Sequence, residues 1–335
     1  MKKEAMLYDR KEDLTVLCRL CSHHCVISDS KYGFCGVRKN EKGVLYTCVY
    51  GEVIASHVDP IEKKPLYHFL PGSSSYSIAA IGCNFHCGFC QNWQISQISA
   101  RDGGNGGYEL KPEEVVREAI KHKCKSISYT YTEPTIFFEY AYDTAKIAKQ
   151  KGLYNNFVTN GFMTKDALSE IKPYLDAANV DLKSFSDEFY KTNCKSRLKP
   201  VLESIEYMHK INIWVEITTL VIPGENDSLE EFKDIANFIA SIGKEIPWHI
   251  SRFHPDFKFT NYSATPVNTL KKAFAAAKSA GLKYVYLGNV LEGSDTFCYH
   301  CGKLLIKRGG LYTEQIDMNK GACPSCNSKI EGIWE

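Results

Sequence analysis

Between about residues 76 and 288, short apolar or β-branched runs alternate with helical patterns. Parallel strands need long crossover connections and covered faces, so this alternation predicts an α/β fold whose parallel sheet curls into a full or partial βα barrel of about six strands. A doubly wound sheet is the alternative. In either architecture the carboxyl ends of the strands hold the chemistry. The predicted strands are 77–81, 126–130, 156–159, 177–182, 213–221, 248–253 and 284–287.

Charge and hydropathy exclude several classes of partner. The 335 residues carry 41 Lys and Arg against 39 Asp and Glu, and this +2 balance gives no field that favours nucleic acid or an anionic membrane. The first residues are charged and lead into no apolar stretch, and no run of about 18 apolar residues follows. We therefore expect a cytoplasmic chain with no membrane partner, for which nucleic acid is an improbable ligand.

The chain contains 14 cysteines, which a reducing cytosol favours as metal ligands or redox centres over disulfides. Eleven of them form three sets. Cys48, Cys124 and Cys194 stand apart, and we predict that they are small buried apolar residues. The sets are Cys18, Cys21, Cys25 and Cys35; Cys83, Cys87 and Cys90; and Cys298, Cys301, Cys323 and Cys326.

These sets suggest three parts: a cysteine-rich segment over residues 1–70, a barrel over 71–292 and a zinc-ribbon-like module over 293–335. The glycine-rich loop 103–107 follows no predicted strand, so it is not a dinucleotide-binding fingerprint.

The central set lies directly after the first predicted strand. Thiolates from Cys83, Cys87 and Cys90 can hold three corners of a [4Fe–4S] cubane and leave its fourth iron without a protein ligand, which makes that iron a reaction site. The alternative is a structural zinc with His86 as fourth ligand, but His86 adjoins Cys87 in sequence, which makes closed tetrahedral coordination awkward.

This CxxxCxxC pattern after a first barrel strand resembles the signature of the radical S-adenosylmethionine (radical SAM) enzymes, and the resemblance extends over the βα region. It implies that Cys83, Cys87 and Cys90 are catalytic and bind a [4Fe–4S] cluster. It also implies that S-adenosylmethionine chelates the open iron and yields a 5′-deoxyadenosyl radical that abstracts hydrogen from a substrate. Phe89 matches an aromatic residue commonly found near the adenine.

Later strand ends resemble the activating enzymes of glycyl radical enzymes, such as pyruvate formate-lyase. Where the family usually has Gly-Gly-Glu-Pro, this chain has Tyr131, Thr132, Glu133 and Pro134. Further segments resemble the family's TNG and DLK motifs, and a histidine follows the sixth strand, with His249 as a weaker candidate. The cofactor-binding residues implied in this way are Thr132, Glu133, Thr159, Asn160, Asp181, Lys183 and His254.

The flanking sets point to further metals. Cys298-x2-Cys301 and Cys323-x2-Cys326 have the arrangement of a zinc ribbon, and a rubredoxin-like iron centre would use the same ligands. Cys18, Cys21, Cys25 and Cys35 could bind one zinc or one auxiliary iron–sulfur cluster, with the neighbouring residues His23 and His24 as alternative ligands.

The amino-terminal set and the segment 57–72 resemble the radical enzymes of the AmmeMemoRadiSam system. That resemblance implies AMMECR1-type and Memo-type proteins as partners. We expect an oxidoreductase of the activase type, a hydrogen-donor substrate that is a protein, a peptide or a small molecule, and a low-potential electron donor such as flavodoxin or ferredoxin. The alternative is a non-catalytic protein whose zinc modules bind a protein or RNA.

Overall fold

The computed structural model describes residues 2–104 and 107–335, so part of the glycine-rich loop, residues 105 and 106, lies outside the described residues. Within these ranges short strands precede and follow a central parallel sheet. The strands are β1 (Lys3–Glu4), β2 (Tyr8–Arg10), β3 (Val16–Cys18), β4 (Val26–Ile27), β5 (Arg38–Glu41), β6 (Val44–Thr47), β7 (Glu52–Val53), β8 (Ala55–Pro60), β9 (Ser74–Ala79), β10 (Tyr108–Glu109), β11 (Ser126–Tyr129), β12 (Tyr154–Thr159), β13 (Ala177–Asp181), β14 (Trp214–Val221), β15 (Trp248–Arg252), β16 (Val285–Gly288), β17 (Thr296–Phe297), β18 (Leu304–Gly309) and β19 (Tyr312–Ile316).

Helices occupy the connections between the central strands, and shorter helical turns lie near strand ends. The α-helices are α1 (Trp93–Ser96), α2 (Pro112–Lys121), α3 (Phe138–Gln150), α4 (Lys165–Ile171), α5 (Asp187–Phe189), α6 (Leu198–Lys210), α7 (Leu229–Ile242) and α8 (Val267–Ser279). Three 3-10 turns cover Ile61–Lys63, Ala100–Asp102 and Pro134–Phe137, and a π-helical turn covers Tyr190–Cys194.

The central sheet has the order β16-β15-β14-β13-β12-β11-β9-β8. Strands β9 and β11 to β16 are parallel neighbours in chain order, whereas β8 pairs antiparallel with β9 at the edge. A doubly wound sheet reverses its strand order at a switch point, and this sheet does not. Since no pairing joins β16 to β8 within the described residues, the predicted partial βα barrel is confirmed.

Apolar faces of the helices bury the sheet. In α7, Ser228 accepts a hydrogen bond from the Glu231 backbone N–H at 3.1 Å and so caps the helix. Phe232, Ile235 and Ile239 then recur at helical spacing and are fully buried. Strand β11 is buried along its whole length, as a parallel strand covered on both faces should be.

The amino-terminal residues pack against the barrel. Strands β1, β6 and β5 form one small sheet, β2, β3 and β4 form another, and β7 pairs with β10. Buried residues of these strands, such as Val16 and Leu45, belong to the same apolar cluster as the barrel residues. The division at residue 70 remains a prediction, although β8, within the first 70 residues, extends the barrel sheet.

The carboxyl-terminal residues form a three-stranded antiparallel sheet of β17, β18 and β19. Arg308 attaches this sheet to the barrel, because its guanidinium donates to the carbonyls of Ser294 and Tyr67 at 2.8 and 2.9 Å and lies 4.2 Å from the Tyr67 ring centroid. Across the described part of the chain, no helix is both long and apolar enough to cross a membrane.

Candidate active site

A cavity of about 1180 Å³ opens at the carboxyl ends of the parallel strands. Residues from the ends of β11, β12, β13, β15 and β16 line it, as parallel-sheet architecture predicts. Most of the site residues predicted from the sequence meet here. They are Cys83, Cys87, Phe89, Cys90, Thr132, Glu133, Thr159, Asn160, Asp181 and Lys183.

The cysteine loop after β9 is held in place by backbone hydrogen bonds. His86 N–H donates to the Cys194 carbonyl and Gly88 N–H to the Asn193 carbonyl, both at 3.0 Å. A Cβ atom on Gly88 would lie 2.7 Å from the Phe259 ring, so glycine is needed at this position. The loop therefore packs closely on its surroundings while its three thiols face the cavity.

The spacing of these thiols argues against a single metal ion. Within residues 2–104 and 107–335, the carboxyl-terminal cysteines are the one set of three or more potential ligands whose ligand atoms all lie within 4.8 Å of one another. His86, the fourth ligand of the zinc alternative, contacts Gln97 at 3.0 Å instead. Three thiols that stand apart around an open cavity fit a group larger than one ion, and they leave its remaining side accessible.

Glu133 joins the ends of two strands. Its Oε1 accepts hydrogen bonds from the Thr135 N–H at 3.1 Å, the Thr135 hydroxyl at 2.5 Å and the Thr159 hydroxyl at 2.7 Å, and its Oε2 accepts one from the Asn160 N–H at 2.7 Å. Burial raises the pKa of Glu133. Asn160 in turn donates to Asn84 at 2.7 Å, beside Cys83, so the carboxylate is linked to the cysteine loop.

Tyr131 and Thr132 stand where the resemblance noted in the sequence would place two glycines. Tyr131 adopts φ = +63°, a conformation that glycine reaches without steric cost. Its hydroxyl donates to Asp59, and the Thr132 hydroxyl donates to the Ala80 carbonyl at 2.6 Å. Side-chain anchors thus hold a backbone shape that glycine would adopt freely.

Asp181 and Lys183 form an ion pair of 2.9 Å at the end of β13. Burial, the largest single effect, would lower the pKa of Lys183, but the Asp181 carboxylate and the Cys87 and Cys194 thiols together raise it, so the ammonium is retained. Its Nζ lies 5.8 Å from the centroid of the buried Phe89 ring. The cavity therefore has a fixed pair of charges beside the cysteine loop.

His254, which the sequence predicts to bind the cofactor, lies outside the lining of the cavity, so its role stays a prediction. His254 is exposed, is not among the lining residues and contacts Gln91 at 3.2 Å. Strand β15 ends at Arg252, so His254 falls in the following irregular segment. The weaker candidate, His249, does line the cavity and contacts the buried Glu216 at 2.7 Å.

Sequence reasoning missed the wall formed by the segment after β8. Lys63, Lys64 and Tyr67 line the cavity, and both lysines pair with Asp59, at 2.8 and 2.7 Å. Burial lowers the pKa of Lys64 to about 8. The lysine pair in the segment 57–72 was the signal that could have indicated this wall. The sequence analysis noted that segment only for its resemblance to a family and assigned no role to its lysines.

Cys194 was also misjudged in part. It is buried as predicted, but it lies beside Cys87, and its thiol lowers the pKa of Cys87. Cys194 ends the π-helical turn Tyr190–Cys194, and such turns often occur at functional sites. No local pattern places this thiol beside a residue 107 positions earlier.

The carboxyl-terminal cysteines form a compact group. The sulfurs of Cys298 and Cys326 are 3.6 Å apart, as are those of Cys301 and Cys323. Tetrahedral coordination with metal–sulfur bonds of about 2.3 Å places sulfurs about 3.8 Å apart, so the set fits one metal ion.

The comparisons with known proteins agree with this geometry. Residues 78–239 match the Radical SAM superfamily, and an uncharacterised protein of Methanocaldococcus jannaschii is 44% identical over 98% of this chain and 99% of its own length. The chain belongs to the radical SAM superfamily. Membership implies a [4Fe–4S] cluster and S-adenosylmethionine as cofactors, which the three thiols around the cavity fit.

Other radical SAM proteins share parts of the chain. The pyruvate formate-lyase-activating enzyme of Clostridium pasteurianum is 22% identical over 57% of this chain and 84% of that enzyme. Among solved structures, a radical SAM methyltransferase from Sphaerobacter thermophilus has a TM-score of 0.51 and 15% identity over 70% of this chain and 71% of its own. SuiB of Streptococcus suis, bound to S-adenosylmethionine, has a TM-score of 0.51 and 12% identity over 68% of this chain and 53% of its own. These structures support the fold.

Proposed function

We propose that the chain is an oxidoreductase of the activase type that removes a hydrogen atom from a substrate bound in the central cavity. The observation that carries this proposal is the meeting of Cys83, Cys87 and Cys90 with Glu133 and Lys183 around one cavity. When bound, the cluster and S-adenosylmethionine supply a 5′-deoxyadenosyl radical that takes the hydrogen atom.

The chain's own residues position and shield the cofactor. Glu133 fixes the ends of β11 and β12 through its four hydrogen bonds, and its Oε2 carries one of them, which leaves a lone pair for a cofactor amine. The ammonium of Lys183 suits a carboxylate, and Asp181 suits the hydroxyls of a ribose. Phe89 excludes water from the cysteine loop, because its buried ring packs on Phe259 with centroids 5.6 Å apart.

The cavity has room for more than the cofactor. Its volume of about 1180 Å³ exceeds the about 300–1000 Å³ that is usual for one drug-sized ligand. Lys63, Lys64 and Arg252 line the part contributed by the segment after β8 and by β15. We propose that a protein, peptide or small-molecule hydrogen donor binds there.

Three further assignments belong to this proposal. The carboxyl-terminal cysteines hold one structural zinc, since four thiolates leave no open position. A low-potential flavodoxin or ferredoxin delivers the electron. The likeness to AmmeMemoRadiSam-system enzymes stays a prediction, as do the AMMECR1-type and Memo-type partners and the cytoplasmic location.

Product analysis tests the proposal. The chain is reconstituted with iron and sulfide without oxygen, reduced with dithionite and given S-adenosylmethionine. We expect 5′-deoxyadenosine from the wild type and none from Cys83→Ala, Cys87→Ala or Cys90→Ala, because each removes a cluster ligand. Cys124→Ala is the matched control, since Cys124 is buried outside the three sets. A wild type that holds the cluster but forms no 5′-deoxyadenosine contradicts the proposal.

A further inference from the structure

The four amino-terminal cysteines surround a second, smaller cavity. Cys18, Cys21, Cys25 and Cys35 all line it, together with His23 and Arg38. The fold therefore brings all four residues of the amino-terminal set together.

Their spacing differs from that of a single-ion site. The carboxyl-terminal set has sulfur pairs at 3.6 Å and all four sulfurs within 4.8 Å, which is the compact arrangement that tetrahedral zinc requires. Among the described residues the amino-terminal set does not reach that closeness, and it encloses a void. It shares the wider spacing with the central set, whereas its cavity, of about 20 Å³, is much smaller than the central one of about 1180 Å³.

The four thiols form a complete ligand set without either neighbouring histidine. His23 Nε2 lies 2.7 Å from the Asn84 carbonyl, which can only accept, so this nitrogen is the donor. His24 is exposed and does not line the cavity. Four thiols line the cavity, and four thiolates are the ligand set of [2Fe–2S] and [4Fe–4S] clusters.

A buried cation beside the cavity supports an anionic occupant. Arg38 is 2% exposed and pairs with the fully buried Glu139 at 3.0 Å. Its Nε has no hydrogen-bond partner among the described residues, although it is buried. A donor left unpaired beside four thiols suits a group with acceptor sulfurs, because hydrogen bonds to cluster sulfur are a common feature of such sites.

The second cavity adjoins the active site. A Cβ atom on Gly82, the residue before Cys83, would lie 3.3 Å from the Cys35 carbonyl oxygen. His23, between Cys21 and Cys25, contacts the carbonyl of Asn84, the residue after Cys83. The residues on either side of Cys83 therefore lie close to the segment that carries the amino-terminal set.

Aromatic contacts give a second connection. Phe34, beside Cys35, donates its backbone N–H to the Cys25 sulfur at 3.4 Å. Its ring lies 4.7 Å, between centroids, from that of His86, which adjoins Cys87.

We propose that Cys18, Cys21, Cys25 and Cys35 hold an auxiliary iron–sulfur cluster and that this cluster passes single electrons to the active site. A reduced one-electron carrier of the flavodoxin or ferredoxin class loses one electron, the auxiliary cluster gains it and then gives it to the central cluster, and no atoms are transferred. The assignment of the auxiliary cluster does not depend on the proposed function, whereas the electron relay rests on it.

Metal and sulfide analysis tests the site without relying on activity. A variant with Cys83→Ala, Cys87→Ala and Cys90→Ala is reconstituted without oxygen, and its iron, acid-labile sulfide and zinc are counted. We expect about two to four iron atoms with an equal amount of sulfide, and about one zinc at the carboxyl-terminal site. About two zinc ions and no sulfide would overturn the proposal.

Two further variants locate the cluster. Cys25→Ser should remove or alter the absorption spectrum that remains when the central cysteines are absent, and Cys48→Ala, outside the set but in the same segment, should leave that spectrum unchanged. A single substitution is used because a variant that lacks all four cysteines can fail to fold. An unchanged spectrum in Cys25→Ser would overturn the assignment of the cluster to this set.

Electron paramagnetic resonance tests the relay separately. When both clusters of the wild type are reduced, their proximity should broaden both signals and speed up their relaxation relative to variants that keep one cluster. Signals without this broadening would overturn the relay. The identity of the auxiliary site would then still be decided by the iron, sulfide and zinc analysis. A failure of 5′-deoxyadenosine formation would instead reject the proposed function.

Discussion

At the scale of single residues, Glu133 shows how one buried carboxylate can shape a site. It accepts four hydrogen bonds, from the backbone and hydroxyl of Thr135, from Thr159 and from Asn160. Leaving a buried hydrogen-bonding group unsatisfied costs about 1–3 kcal/mol. Glu133 therefore stabilises the native loop geometry even before it meets a cofactor.

Glu133→Gln should lower the free energy of unfolding by about 1–3 kcal/mol. The amide nitrogen of glutamine would face a group that donates a hydrogen bond to the carboxylate in the wild type, so that hydrogen bond would be lost. Chemical unfolding of the reconstituted protein measures the change. Glu118→Gln, which replaces a partly exposed carboxylate of α2 that pairs with Lys121, is the matched control and should stay within about 0.5 kcal/mol of the wild type. Equal stability of Glu133→Gln and the wild type would contradict this role.

The identity of the site residues was more predictable than their contacts. The CxxxCxxC spacing and the strand ends placed Cys83, Glu133 and Lys183 in one cavity, because parallel strands bring their carboxyl ends together. Cys194 was not predicted to touch Cys87, since that contact depends on how a π-helical turn packs against the cysteine loop. His254 follows β15, as predicted, but it lies two residues beyond the end of the strand and outside the cavity lining.

At the scale of elements, the carboxyl-terminal segment is fastened to the barrel through His68. Its Nδ1 lies 2.7 Å from the Glu331 carbonyl, and its Nε2 lies 2.6 Å from the Tyr286 hydroxyl. A carbonyl can only accept, so Nδ1 carries the proton and Nε2 accepts from tyrosine in the neutral ring. Burial lowers the pKa of His68 to about 4.

Stability should therefore fall as the pH drops from about 6.5 towards about 4. In that window the unfolded chain binds a proton on His68 that the native chain excludes, and the loss approaches about 1.4 kcal/mol per pH unit. Unfolding at stepped pH values measures it. His68→Gln should remove this part of the dependence while the exposed His57→Gln retains it. The same slope in His68→Gln and the wild type would contradict the assignment.

Element positions followed closely from periodicity. The predicted strands 126–130, 177–182 and 213–221 appear as Ser126–Tyr129, Ala177–Asp181 and Trp214–Val221, because buried parallel strands are rich in apolar and β-branched residues. The first strand begins earlier, at Ser74, since its polar residues are buried by pairing with β8 and β11. Strand β8, the antiparallel strand at the edge of the sheet, was not predicted as a separate strand.

At the scale of the whole molecule, three cysteine sets show two kinds of geometry. The carboxyl-terminal set is compact enough for one ion, whereas the amino-terminal and central sets stand around cavities that adjoin each other through Gly82 and His23. The number of cysteines in each set is known from the sequence. Whether a set suits zinc or an iron–sulfur cluster is not, because that depends on the distances between the sulfurs.

The central claim is that the cluster held by Cys83, Cys87 and Cys90 keeps one iron open to S-adenosylmethionine. Electron paramagnetic resonance of the reduced protein tests it most directly, with Cys25→Ser used to remove overlap from the amino-terminal set. The account predicts that S-adenosylmethionine changes the signal of the central cluster while S-adenosylhomocysteine does not reproduce the change. An identical signal with and without a saturating amount of S-adenosylmethionine would contradict it.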